Sequence, residues 1–327
     1  MAQQLELKTT TVPSNSWPRD LLLLLLGVMI LSCSAIFTRL SEVELTPLAT
    51  IFDRFWIASM ALALMNGLKG LKQISTADVE ADLTGESKLA GDTPWVEGLL
   101  MLVLAIAIAA RAGSWAWSLT QTSVANSNLL HNMTPIFATL GGWLFLGHTF
   151  DRRYLMGLLL AVSGVVAIGI QDFNVTDDSF IGDIAALMSS VFYAINFLII
   201  EKLRRKLSTT AIMTGSCFWV SVILVPGIWM EGSGFIPESA SVWAAVICLG
   251  LLSQVLGQGI LAYVLSRMNS GHVSLFLLLE PVITALLAWM IFGERLSVEN
   301  WLAFVVVLTG LYLANLSQGA SGLESQG

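Results

Sequence analysis

Residues 278–316, LLEPVITALLAWMIFGERLSVENWLAFVVVLTGLYLANL, decide the fold. Residues 132–170, NMTPIFATLGGWLFLGHTFDRRYLMGLLLAVSGVVAIGI, carry the same punctuation 146 positions earlier. Pro135, Trp143, Gly147 and Gly164 of the first copy correspond to Pro281, Trp289, Gly293 and Gly310 of the second. Each copy is a pair of apolar runs, and each run is about long enough to cross a hydrocarbon core of roughly 30 Å as a helix. An internal repeat in such a chain points to a body made of two related halves, with a ligand site at their seam near mid-membrane.

The same pattern continues outward from the repeat. The 327 residues are 55% hydrophobic and 12% charged, with a mean hydropathy of +0.76; soluble domains carry about 25% charged residues. Lipid cannot satisfy backbone polar groups, so apolar runs of this length without strand alternation read as helices. The expectation is an all-α integral membrane protein with ten transmembrane helices. They are drawn at 20–39, 46–68, 95–118, 122–146, 153–170, 180–202, 208–230, 241–266, 271–293 and 299–317. The first five-helix repeat then occupies 20–170 and the second 180–317, between tails at 1–19 and 318–327. Residues 69–94, with Asp78, Glu80, Asp82, Glu86 and Asp92, read as a solvated, poorly ordered cytoplasmic linker. Ile30-Leu31-Ser32-Cys33 superficially resembles a lipoprotein cleavage box. The apolar run continues through Phe37, however, which favours a retained first helix.

Charge sets orientation. With the amino terminus in the cytoplasm, the inner side receives Lys8, Arg19, Lys69, Lys72, Lys88, Arg152, Arg153, Lys202, Arg204, Arg205, Lys206 and Arg267. The outer side receives only Arg39 and Arg295. This bias is strongly positive-inside and puts both termini in the cytoplasm of a cell (inner or plasma) membrane. Five helices per repeat is an odd number, so the two halves enter the membrane from opposite sides and the repeat is inverted. The net charge of −7 is segregated by loop, and no basic tract suits nucleic acid. Cys33, Cys217 and Cys248 all lie in apolar segments and read as small buried residues, not as a disulfide set or metal site.

LLLEPVITALLAWMIFGERLSVENWLAFVVVLTGLYLA resembles the end of an EamA-type domain of the drug/metabolite transporter superfamily. The resemblance is carried by Glu280-Pro281 and the Gly293-Glu294-Arg295-Leu296 turn. The first half matches more loosely, with His148 where the second has Glu294 and Thr134 where it has Glu280. The triplet Asp53-Arg54-Phe55 is similar to the family's second-helix pattern. The resemblance covers nearly the whole chain outside the tails and the linker. It implies ten helices, cytoplasmic termini, and a central cavity formed by helices one to four and six to nine. Helices five and ten would be peripheral supports or homo-oligomer contacts. Gly157, Ala161, Gly164 and Gly169 in the fifth and Ala303, Gly310 and Ala314 in the tenth fit close helix packing.

Charges inside spans are functional candidates by default, because each costs several kcal/mol unless paired or hydrated. They are Asp53, Arg54, Arg111, Asp183 and Glu280, with His131 as a titratable neighbour. Counting about 1.5 Å per residue, Arg54, Arg111 and His131 share a height roughly 10–14 Å below the outer surface. They form either a positive vestibule for an anionic group or, for Arg54, a brace against Asp53 or Glu44; the adjacent carboxylate favours the brace. Asp183 reads as a cap at the start of helix six. Glu280 lies near mid-membrane beside Pro281, whose missing N–H frees the carbonyl of Leu277. Prolines at matching positions of two halves, Pro135 and Pro281, are the sequence pointer to a transport site. Glu280 could bind a cation, exchange a proton, or serve as a protonated structural group.

Uncharged polar faces complete the candidate cavity: Asn128, His131 and Asn132 on helix four, Tyr193 and Asn196 on helix six, and Gln254 and Gln258 on helix eight. Trp115 or Trp117 reads as an interfacial anchor, while Trp143 and Trp289 read as packing residues. No HExxH, Gly-rich phosphate loop with lysine, or metal-spaced carboxylate pair occurs, so neither an enzyme nor a cofactor is expected. The reading is a transporter, with export favoured, of small organic metabolites such as amino acids, working by alternating access within the lipid bilayer. The alternative in the same superfamily is a sugar-phosphate or nucleotide-sugar exchanger, which needs paired cations deep in the cavity.

Overall fold

The computed structural model describes residues 17–80, 94–122, 124–170, 180–232, 234–292 and 298–316. All regular structure among them is helical. The elements are α1 (Trp17–Ser32), α2 (Ser34–Ser41), α3 (Pro47–Glu80), α4 (Pro94–Gln121), α5 (Val124–His131), α6 (Thr134–Leu146) and α7 (Arg152–Ile170), then α8 (Phe180–Arg204), α9 (Thr209–Glu231) and α10 (Ala240–Cys248). A π-helical segment (Leu249–Gln258) runs on into α11 (Gly259–Val264), followed by α12 (Ser270–Phe276), α13 (Leu279–Phe292) and α14 (Val298–Asn315). The turn at Gly293–Leu296, most of both tails and residues 81–93 of the linker lie outside the described residues.

Eight described stretches are long and apolar enough to cross a membrane, not ten: Pro18–Ser41, Pro47–Gly67, Gly98–Ser118, Phe180–Arg204, Thr209–Glu231, Ala240–Val264, Ser270–Leu287 and Val298–Asn315. The stretch drawn at 122–146 falls out because Asn132 and Met133 split it into α5 and α6, of 8 and 13 residues. The one at 153–170 is α7, of 19 residues, whose side chains are described only to Ala167. The linker also differs from expectation. Helix α3 continues through 69 to Glu80, so its first part is helical instead of irregular.

The two halves interlock in exchangeable pairs. Helix α4 packs on α8, and the corresponding strip of the second half, the π segment with α11, packs on α1. Likewise α4 on α9 is matched by the π segment on α3, and α6 on α8 by α13 on α1. The tightest pairing is α7 with α14. A Cβ placed on Gly157 would lie 2.5 Å from the backbone N of Ala314 and the O of Gly310, and one on Gly164 would lie 2.8 Å from Val307 N and 3.0 Å from Ala303 O. Positions 157 and 164 correspond to 303 and 310 across the 146-residue offset, so the contact of 157 with 310 is the mirror of that of 164 with 303. Rising numbers on α7 meet falling numbers on α14, and the two helices are antiparallel. Small residues permit this approach where no side chain fits between backbones.

Both halves break at the same place. Pro135 and Pro281 cannot donate to the carbonyls four residues back, those of His131 and Leu277. The Thr134 hydroxyl takes the His131 carbonyl at 2.8 Å. The Leu277 carbonyl is not left free either, because the Glu280 N–H reaches it at 2.8 Å in a tighter turn. The sequence expectation missed this satisfaction: the helix has already parted at Leu277–Leu278, so a three-residue turn replaces the lost four-residue bond. Trp143 and Trp289 are exposed on the bundle surface, where lipid would lie, and do not pack inside; Trp289 meets Trp301 edge-on at 6.2 Å.

Helix propensity and packing give opposite signs for two glycine substitutions. Gly113→Ala, with nothing within 4 Å of the new methyl, is expected to be neutral or to stabilise by up to about 1 kcal/mol. Gly310→Ala, forced against the backbone of α7, is expected to destabilise by about 1–3 kcal/mol or more. Thermal unfolding of the purified variants in one detergent checks the pair.

Candidate functional site

Tyr193 of α8 is the hub of the polar interior. The Arg111 guanidinium lies 4.6 Å over its ring, and the His131 imidazole stacks on it at 5.6 Å and 14°. Phe197 stacks at 4.6 Å, and Gln258 Nε2 donates to the phenol oxygen at 3.2 Å. These groups come from α4, α5, α8 and the π segment, so the hub joins both halves. A cation over an aromatic face is stabilised by the ring quadrupole, more so when water is excluded.

Arg54 of α3 enters the same centre. Its Nε donates to Gln254 Oε1 at 2.9 Å, across 200 residues of chain. Its charge acts on Arg111 and Glu280, and Glu280 interacts with both arginines. Two guanidinium groups and one carboxylate therefore share one region, with a formal charge of +1 when all are ionised. This replaces the expected brace. Asp53 points elsewhere and accepts from Trp56 Nε1 at 2.6 Å, while Glu44 lies in the loop after α2, where its Oε2 accepts from the N–H groups of Glu238 and Ser239 at 2.9 and 3.1 Å. Successive residues on a helix point about 100° apart, so adjacency in sequence placed the carboxylate on a different face. The hydrogen bonds to Ser239 and Glu238 hold the exposed Glu44 carboxyl below its usual range.

Next to the hub is a small cavity of about 20 Å³, enough for one or two waters. His131, Asn132, Thr134, Pro135, Tyr193, Ser274, Leu277, Leu278 and Glu280 line it. Both proline breaks thus open onto one space. Arg111, Arg54, Gln254 and Gln258 stand behind this wall through Tyr193 and Glu280. Asn196 is buried with its Oδ1 unpartnered among the described residues. Asn128 departs from expectation: it is exposed, and its backbone oxygen accepts from Asn132 Nδ2 at 2.8 Å. Asp183 sits in the first turn of α8 and accepts from the Thr122 hydroxyl at 2.7 Å, tying α8 to the end of α4. Ser189, hydrogen-bonded to His131 Nδ1 at 2.6 Å, was missed. It shares the i, i+4, i+7 face of Tyr193 and Asn196, a spacing that would have found it. Trp115 is not an interfacial anchor, since its indole is half-buried 6.1 Å from His131.

A second buried polar cluster ties α8 to the start of α12. Glu201 of α8 accepts from His148 Nε2 at 2.7 Å with one oxygen and from the Ser270 N–H at 2.7 Å with the other. Asn269 accepts from the His272 backbone N–H and Nδ1 at 2.9 and 2.8 Å. Tyr154 packs against His272 at 4.5 Å and hydrogen-bonds Thr139 at 2.9 Å. Gly271 is required there, since a Cβ would lie 2.9 Å from Phe150 Cζ and Tyr154 Oη. Asp20 of α1 pairs across 247 residues of chain with Arg267, at 3.2 Å. Every residue from Met268 to Leu279 is buried, whereas the corresponding stretch of the first half includes the exposed Asn128.

Comparison with known proteins agrees with this architecture. The chain matches the EamA-like transporter family over residues 19–170 and 180–316. An uncharacterized transporter of Archaeoglobus fulgidus is 25% identical over 91% of this chain and 97% of its own length. The pseudopaline exporter CntI of Pseudomonas aeruginosa is 25% identical over 58% of this chain. A probable amino-acid metabolite efflux pump of Escherichia coli is 24% identical over 53%. The matches span only 66% and 61% of those last two proteins. A solved crystal structure superposes with a TM-score of 0.74 at 17% identity, covering 91% of this chain and 98% of the other, a likeness of fold.

The Arg54–Gln254 bond gives a measurable coupling. Gln254→Leu leaves a guanidinium N–H without its acceptor and is expected to cost about 1.5–3 kcal/mol. Arg54→Leu combined with Gln254→Leu is expected to cost less than the sum of the single changes. A double-mutant cycle read by thermal unfolding in detergent tests both.

Proposed function

The chain belongs to the EamA-like transporter family, and on that premise we propose that it exports small organic metabolites, amino acids or related solutes, by alternating access. It is a multi-pass membrane protein, and its named relatives are transporters, not enzymes. In this reading the α5–α6 pair and α7 add two crossings to the eight, giving two inverted five-helix repeats. The exchangeable helix pairs and the antiparallel contact of α7 with α14 support that assignment. The twelve-to-two bias of lysine and arginine supports cytoplasmic termini and a cell-membrane location.

One observation carries the function: Glu280 stands at a proline-broken helix, on a cavity that both halves line, in the field of Arg54 and Arg111. A charged group held at a helix break between two repeats serves solute or ion recognition, because a purely structural bundle has no use for its cost. Export is favoured by the names of two relatives, an exporter and an efflux pump. The juxtaposition of Arg54 with Arg111 is the one feature that favours the sugar-phosphate or nucleotide-sugar alternative, and Glu280 beside them works against it by repelling a dianion. Helices α7 and α14 spend their glycine faces on each other, so a homo-oligomer through them would use their outward faces.

Purified protein in proteoliposomes should show counterflow of labelled amino acids. Glu280→Gln should lower it by about ten- to a hundredfold, the loss expected for one charge-assisted contact, with thermal stability retained. Unchanged flux in Glu280→Gln would remove Glu280 from the mechanism. Labelling the two termini on opposite membrane faces would overturn the inverted repeat.

A further inference from the structure

The offset of 146 residues pairs α5 with α12 and α6 with α13. Exchanging the halves therefore turns a contact of α12 with α6 into one of α5 with α13. Among the described residues only the first is a packed contact. Burial follows the same division. Residues 273–279 are all buried, whereas among their counterparts at 127–133 Asn128 is exposed and Leu130 to Met133 are half-buried.

The packed contact carries a clasp. His148, in the turn between α6 and α7, meets Glu201 Oε1 through its Nε2 at 2.7 Å. The other oxygen of that carboxylate accepts from the N–H of Ser270, the first residue of α12, at 2.7 Å. One carboxylate thus joins the first half to the amino end of a helix of the second. Gly142 makes room for the imidazole, since a Cβ there would lie 2.5 Å from His148 Nδ1. The other end of α12 reaches the cavity, whose wall includes Ser274 and Leu277. A helix of seven residues has little stability of its own, so what holds its ends sets its position. Within a few residues of the clasp stand Arg152, Arg153, Lys202, Arg204 and Arg267, which marks this as the positively charged, cytoplasmic end.

We propose that α12, held by the His148–Glu201–Ser270 clasp, is the cytoplasmic gate of the cavity, and that α5 with α13 is the outer gate, parted in this structure. The assignment rests on the transport reading of the cavity. Releasing the clasp frees α12 to leave α6, and the counterpart contact of α5 with α13 then forms in its place. Solute passes as the two contacts are made in turn.

The test reads side-chain accessibility and needs no solute. The full-length protein carries Cys33→Ala, Cys217→Ala and Cys248→Ala, with one new cysteine on the cavity wall, Ser274→Cys or Asn132→Cys. Right-side-out and inside-out membrane vesicles are treated with a charged, membrane-impermeant methanethiosulfonate. With the clasp intact, Asn132→Cys should react from outside and Ser274→Cys should be protected from the cytoplasmic face. His148→Ala should raise cytoplasmic labelling of Ser274→Cys at least about tenfold, the shift expected from losing one buried hydrogen bond to a carboxylate, and should lower external labelling of Asn132→Cys. Glu201→Gln should act in the same direction, and His148→Gln, which keeps an N–H donor, should restore part of the protection. Gly164→Ala, which crowds α14 without touching the clasp, should leave the cytoplasmic side closed. Cytoplasmic labelling of Ser274→Cys that ignores His148→Ala, that rises equally in Gly164→Ala, or that is already fast with the clasp intact would overturn the gate, as would an Asn132→Cys closed to external reagent. The stated switch of sides without counterflow of amino acids in proteoliposomes would leave the gate standing and sink the transport reading.

Discussion

Two guanidinium groups and a carboxylate in the interior of an apolar bundle cannot face acyl chains, and this constraint organises the rest of the molecule. Each comes from a different helix: Arg54 from α3, Arg111 from α4, Glu280 from α13. The helices must therefore turn those faces towards a common point. The aromatic and amide groups around Tyr193 make that point habitable by solvating the cations with a ring face and a glutamine oxygen where water would otherwise be needed. The proline breaks add a place where the helical ladder opens without leaving backbone groups stranded.

The architecture was legible because lipid reduces folding to two readable signals, apolar length and repeated punctuation. The offset of 146 between Pro135 and Pro281 survived divergence that erased most side-chain identity, and it marks the same break in both halves. Two things were not legible, for physical reasons. Arg54 was assigned to a neighbour in sequence because adjacency is visible, while its actual acceptor lies 200 residues away and is fixed only by packing. Asn128 was grouped with His131 by helical spacing, yet it is exposed while His131 lines the cavity. Spacing on a helix tells which residues share a face; it does not tell what that face meets.

The halves share a plan but are not used alike. From Met268 to Leu279 the second half is buried throughout, held by Glu201 and the aromatic group around His272. The corresponding stretch of the first half reaches the surface at Asn128. The π-helical segment at Leu249–Gln258 belongs to this picture. Its wider turn aims Gln254 at Arg54 and Gln258 at Tyr193 from a single strip of chain.

The glycine contact between α7 and α14 also governs how the protein is made. Gly157 and Gly164 leave the ribosome about 146 residues ahead of Gly310, and at about 5–20 residues per second that is a delay of roughly 7 to 30 s. Through that interval the first half stands in the nascent bilayer with its tightest mating surface uncovered. Assembly is therefore completed late, and a message truncated before Gly310 would leave an early-made helix with no counterpart to receive it.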